Sequence, residues 1–150
     1  MIFKYVTHSP EDTISLAQSL GKKLLGGDII AYKGGLGAGK TTFTRGIAIG
    51  MELGDEVYSP TFSLVNEYVA RGASLRLVHF DMYRITGALD LETTGFFDYM
   101  DDDTVIACEW SENIEDELPD GCIVITIDRI DDETREITVE GDERFADLGN

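Results

Sequence analysis

Apolar residues fall along this chain in two alternating periods, one suited to strands and one to helices. Ile2 to Val6 predicts a first strand. Ser9-Pro10-Glu11-Asp12 then reads as a helix start, with Ser9 as cap, Pro10 as first helical residue and Asp12 three residues after the cap. Ile14, Leu16, Ala17, Leu20, Leu24 and Leu25 follow near helical spacing, and Gly26-Gly27 ends the run. Asp28 to Lys33 reads as a short buried strand, and Lys40 to Met51 as a helix broken at Leu53-Gly54-Asp55. After a Ser59-Pro60-Thr61 turn, Thr61 to Val69 alternates in strand fashion. Arg71-Gly72-Ala73 turns it into a returning strand, Leu75 to Phe80, with Asp81 at its end. Leu89 to Met100 predicts a short helix interrupted at Gly95, Thr104 to Cys108 a strand running into Glu109-Trp110, and Ser111 to Leu118 a polar helix closed by Pro119. Cys122 to Ile127 and Glu136 to Val139 predict two final strands joined at Asp131-Asp132; the tail after Val139 carries no pattern.

The pattern implies an α/β fold: a mostly parallel sheet with added antiparallel strands, flanked by helices. It shows no repeat, low-complexity tract or linker, so the expectation is one domain over 1–150. A chain of 150 residues can bury a sufficient core without a disulfide or metal staple. Its apolar runs are too short to span a bilayer, and Met1 to Tyr5 lacks the basic and apolar regions of a signal peptide, which makes the cytoplasm the expected location. Cys108 and Cys122 form no C-x-x-C and sit in apolar runs, so they read as reduced core thiols.

Charge narrows the function. A net charge of −17 repels phosphate backbones and argues against direct binding to DNA or RNA. The acidic excess gathers after Phe97, in Asp101-Asp102-Asp103 and Asp131-Asp132-Glu133. Such runs read first as solvated turns, with a docking surface for a basic protein as the alternative. Lys33, Lys40 and Arg45 are set apart from that excess, all at or near the glycine-rich stretch.

That stretch, GGLGAGKT at 34–41, matches the phosphate-binding loop G-x-x-x-x-G-K-[ST], and the strand before it and helix after it are the context the motif requires. Backbone N–H groups of Gly35, Leu36, Gly37, Ala38 and Gly39, continuing into Lys40, Thr41 and Thr42, would wrap a polyphosphate. Lys40 supplies a point charge for the β and γ phosphates, and the Thr41 hydroxyl suits Mg²⁺. Asp81, at the end of Leu77-Val78-His79-Phe80, is the carboxylate that would hold Mg²⁺ opposite Thr41. Glu109 ends another apolar strand. A carboxylate there can orient or deprotonate an attacking water, but it also suits a turn or a helix cap, and spacing leaves both open. Thr61 fits a switch hydroxyl, although the pattern alone favours a turn threonine. Trp110 reads as a core or interface residue, His79 as a satisfied core histidine, and Arg84 as a stabiliser of developing charge or a partner for an acid.

Four segments, GGLGAGKTTFTRG at 34–46, SPTFSLVNEY at 59–68, HFDMYR at 79–84 and EW at 109–110, together resemble the bacterial TsaE family, formerly YjeE, in order and spacing over nearly the whole chain. The resemblance implies a small P-loop ATPase that uses ATP and Mg²⁺. Such an enzyme works in the biosynthesis of threonylcarbamoyladenosine, the modified base beside the tRNA anticodon. It implies action with the TsaB–TsaD pair, whose TsaD transfers the threonylcarbamoyl group, with tRNA touched only through that complex. Hydrolysis by the ATPase alone would be weak. By residue, the resemblance implies that Lys40 binds phosphate, Thr41 and Asp81 hold magnesium, Thr42 extends the loop, and Thr61 is the switch threonine. Glu109 and Trp110 would be the acid and tryptophan of the EW motif. One departure is Gly35, where the family usually has an acidic residue; the loop keeps its phosphate-binding pattern, with less negative charge beside the nucleotide. Two other uses of such a loop are a small-molecule kinase and a non-catalytic nucleotide-gated module. No segment reads as the arginine-bearing lid of a kinase, and no N-K-x-D guanine-reading motif occurs.

Overall fold

The computed structural model describes residues 1–34, 39–53, 57–58, 65–81, 96–109, 116 and 118–148, with backbone alone at 57, 58, 81 and 97. Its strands are β1 (Ile2–Thr7), β2 (Ile29–Lys33), β3 (Val57–Tyr58), β4 (Val65–Tyr68), β5 (Arg76–Asp81), β6 (Thr104–Glu109), β7 (Ile123–Arg129) and β8 (Arg135–Glu140). Two helices, α1 (Pro10–Gly21) and α2 (Lys40–Gly50), accompany them. The strands form one sheet in the order β1-β8-β7-β2-β6-β5-β4-β3. The inner strands β7, β2, β6 and β5 pair in parallel, and antiparallel strands extend the sheet on both sides. No helix among the described residues is long and apolar enough to cross a membrane.

Alternation along the strands separates two cores. On one face, Ile30 and Tyr32 of β2, Leu77 of β5, Val105 and Ala107 of β6 and Ile125 of β7 pack against Leu16 and Leu20 of α1 and Phe43 and Ile47 of α2. On the other face Val78, Phe80, Ile106 and Cys108 pack against Phe96, where the Phe80 ring meets the Phe96 ring edge-on at 5.2 Å. Fully burying a side chain of this size contributes about 1.5–3 kcal/mol.

The two helices cross closely. A Cβ on Gly21 would lie 2.4 Å from the Ile47 carbonyl oxygen, and one on Gly50 would lie 2.2 Å from that of Gln18. Glycine is required at both crossing points; α1 itself differs from the sequence reading in stopping at Gly21, with Lys22 as C-cap, instead of running on to Leu25. Beyond it, Leu25 is exposed, its N–H donates to Asp28, and Gly27 N–H donates to the Thr104 carbonyl oxygen. The periodic leucines there continue into a turn, where the β6 backbone and Asp28 offer better partners than another helical turn.

Three further expectations change. Phe96–Tyr99 is a 3-10 helix, while the rest of the expected 89–100 helix, residues 89–95, lies outside the described residues. Cys108 is buried, but Cys122 is only half-buried just before β7, and its thiol donates to the Pro119 carbonyl oxygen at 3.0 Å. The tail after Val139, patternless in sequence, is an anchor. Phe145 and Leu148 enter the core, and the Tyr5 hydroxyl donates to the Phe145 carbonyl oxygen. Arg144 grips Asp28 through two nitrogens, at 2.9 and 3.3 Å, and also Asp142 and the Lys23 carbonyl oxygen.

The acidic runs are turns. Asp101 accepts from the Thr104 hydroxyl at 2.6 Å and from Asp103 N–H, and Asp131 accepts from Glu133 and Thr134 N–H. Most of the strands match the sequence-derived segments closely; β3 was not anticipated.

Candidate functional site

Parallel pairing carries the ends of β2, β5 and β6 to one edge of the sheet, so Lys33, Asp81 and Glu109 share that edge. Asp81 lies directly opposite Glu109 in the β5–β6 register. At this edge the chain leaves β2 through Gly34, whose φ is +123°. A Cβ at that position would lie 2.3 Å from the Ile127 carbonyl oxygen of β7, so both the backbone angle and the neighbouring strand require glycine. Gly35, Leu36, Gly37 and Ala38 lie outside the described residues, as do Thr61, Arg84 and Trp110.

The chain becomes helical at Gly39, which has φ +106°, and among the described residues no side chain caps the helix that follows. The first turn of α2 carries no acid and opens with Lys40, which is 7 % exposed. Thr41 and Thr42 are exposed beside it. A helix N-terminus has N–H groups without intrahelical acceptors and carries partial positive charge, so this end suits an anion. One turn on, the buried Thr44 hydroxyl bonds both the Tyr32 hydroxyl (2.8 Å) and the Lys40 carbonyl oxygen (2.9 Å), tying the start of α2 to β2. Burial holds the Tyr32 phenol neutral at any ordinary pH, with the charge of Glu109 adding to the effect.

Glu109 faces this helix end. Burial pushes its carboxyl up, but His79 and the Lys40 ammonium together pull it down further, leaving it below the ordinary glutamate range. His79 Nε2 lies 2.9 Å from Glu109 Oε2, with both side chains mostly buried. Close as the two atoms are, the contact does not make a well-aligned hydrogen bond at Nε2. Sequence reading placed His79 in the core as a satisfied side chain. It is buried, but its polar edge points at the glutamate. The signal available was its two-residue offset from Asp81, which puts both positions on one strand face.

Beside Gly39 and Thr42 a cavity of about 210 Å³ opens, lined also by Pro10, Thr13, Asp132, Glu133 and Arg135. Sequence reasoning missed it because its walls come from α1, α2 and the β7–β8 turn. Among the described residues no group of three or more His, Cys, Asp or Glu is placed to hold a metal. A magnesium ion bound to phosphates needs only one or two protein oxygens, which a hydroxyl at Thr41 and a carboxylate at Asp81 are the right chemistry to provide.

Comparison with known proteins gives the family and the fold. The family model described as threonylcarbamoyl adenosine biosynthesis protein TsaE matches residues 7–137. The chain is 38 % identical over 147 residues to the tRNA threonylcarbamoyladenosine biosynthesis protein TsaE of Bacillus subtilis, covering 98 % of this chain and 87 % of that one. It is 40 % identical over 136 residues to the protein of the same name from Streptomyces coelicolor, covering 87 % and 92 %. The crystal structure of Bacillus subtilis YdiB superposes with a TM-score of 0.74 at 34 % identity, over 93 % of this chain and 84 % of that one.

Proposed function

The chain belongs to the TsaE family, and so to the biosynthesis of threonylcarbamoyladenosine in tRNA; from that premise we propose that it is an ATP-binding and ATP-hydrolysing subunit acting with TsaB and TsaD. The observation that carries the reading is the N-terminus of α2, which has no side-chain cap among the described residues, is entered through left-handed Gly39, opens with Lys40 and is faced by a depressed glutamate.

In this reading the triphosphate lies across the amides from Gly35 to Thr42. Lys40 neutralises the β and γ phosphates, and the nucleoside end occupies the cavity at Gly39 and Thr42. Thr41 and Asp81 would hold magnesium, which would supply charge neutralisation at the phosphates. Glu109 is charged at neutral pH and can accept a hydrogen bond from the attacking water, orienting it toward the γ-phosphate. Thr61 completes the site as a switch hydroxyl. The strongly acidic surface fits a subunit that touches proteins and leaves tRNA to them.

The test is calorimetry and turnover on one preparation. Wild-type protein should bind ATP with Mg²⁺, hydrolyse it slowly, and accelerate when a cognate TsaB–TsaD pair is added. Glu109→Gln should retain binding while stimulated turnover falls about 10²–10⁴-fold, the usual contribution of a positioned acid–base group. No heat of binding from folded wild-type protein would refute the reading.

A further inference from the structure

We propose that His79 is a positioning residue that anchors the Glu109 carboxylate toward the phosphate end of the site; the inference rests on the water-orienting role given to Glu109 above. β5 and β6 run parallel, with His79 directly opposite Ala107. Because Ala107 is small, the imidazole has room to lean past it toward the next same-face residue of β6, which is Glu109. Diagonal neighbours of this kind lie within reach of long side chains. The contact is Nε2 to Oε2 at 2.9 Å, and the two side chains are 5 % and 16 % exposed.

A carboxylate brought this far out of water is costly unless charges and donors compensate it. Lys40 acts on it from the start of α2, and His79 from the neighbouring strand. With the imidazole edge lying against Oε2, Oε1 is the oxygen left to meet a water. The partner side of the argument is equally specific. A buried polar atom without an aligned partner is destabilising, and His79 Nε2 is such an atom. An apolar residue would fill this strand position at no such cost. Local costs of this kind persist where a site needs them, and the group that Nε2 approaches is the glutamate.

Three substitutions separate anchoring from packing. His79→Leu keeps the bulk without a donor, His79→Asn places its amide short of the Nε2 position, and His79→Gln brings its amide nitrogen close to it. The measurements are kcat and KM for ATP hydrolysis with TsaB–TsaD present, ATP affinity by calorimetry, and Tm. The Leu and Asn variants should bind Mg-ATP as the wild type does and lose about tenfold in kcat, the low end for a hydrogen bond to a charged group because Nε2 and Oε2 are close but not aligned. His79→Gln should recover most of that loss. Wild-type kcat in the Leu and Asn variants, a rise in KM alone, or no recovery with Gln would overturn the proposal.

A measurement that keeps His79 in place covers the case in which its variants do not fold. The ¹⁵N resonance of His79 Nε2 should move when Glu109→Gln is introduced, and an unmoved resonance overturns the anchor. Wild-type protein that shows no turnover with its partners removes the role of Glu109 and this proposal together. Full turnover in His79→Leu removes the proposal alone.

Discussion

The two helices of this protein begin in opposite ways. At α1 the Ser9 hydroxyl accepts from Asp12 N–H at 3.0 Å, Asp12 accepts from His8 N–H, Pro10 occupies the first helical position, and Glu11 and Asp12 complement the dipole. That end satisfies itself from its own neighbourhood. At α2 each of these devices is replaced. The N-cap is a left-handed glycine with no side-chain oxygen, no acid lies in the first turn, and the opening residue is a lysine. A cation at a helix N-terminus runs against the dipole; the facing Glu109 carboxylate offsets part of that cost, and an incoming anion would offset more. The helices pack on one another in the same core, so burial does not separate them. Among the described residues, only α1 has a side-chain cap.

The largest expected effect tests the α2 end. A ligand at a hundredfold excess over its Kd stabilises the folded state by about 2.7 kcal/mol, or roughly 5–10 °C in Tm for a domain of this size. Thermal unfolding with and without Mg-ATP should show such a shift in the wild type and lose most of it in Lys40→Ala. An equal shift in both would break the contrast between the helices. Next, Ser9→Ala should cost about 1 kcal/mol of stability and leave ATP affinity unchanged; a drop in affinity would mean that the α1 end also serves the ligand.

The smallest effect sharpens the electrostatics facing α2. Glu109 is depressed in the folded protein, so its contribution to stability is fully present above its unfolded pKa and is lost as pH falls through the lower folded one. A ¹³C titration of the Glu109 carboxyl should therefore give a midpoint below the ordinary glutamate range. Lys40→Ala should move that midpoint upward, because one of the pulling charges is gone. A midpoint at or above the ordinary range would remove Glu109 from the set of charged groups at neutral pH.

Much of this was legible in the chain because it is encoded over short spans. The cap of α1 occupies four residues, the glycine loop eight, and the β7–β8 hairpin follows from two alternating runs around a turn. The stop of α1 at Gly21 was not legible, since the residues that follow it are held in a turn by Asp28 and by the Thr104 carbonyl oxygen of β6, 77 positions beyond Gly27. The pairing of His79 with Glu109 was hidden for a similar reason. Their separation in sequence carries no periodic signal, and only the parallel register of β5 and β6 makes them neighbours.

What the amino-acid sequence determined by itself is the alternation of elements and the phosphate-loop pattern, which rest on interactions or spacings a few residues long, and the family, which rests on the order of four short motifs. The strand order, the Arg144–Asp28 clamp over 116 residues, the Tyr5–Phe145 bond over 140, and the meeting of histidine and glutamate at one strand edge were decided by the tertiary structure. Such contacts exist only after distant segments have been laid side by side, and their geometry is a property of the packed sheet, with no local rule of the chain to announce it.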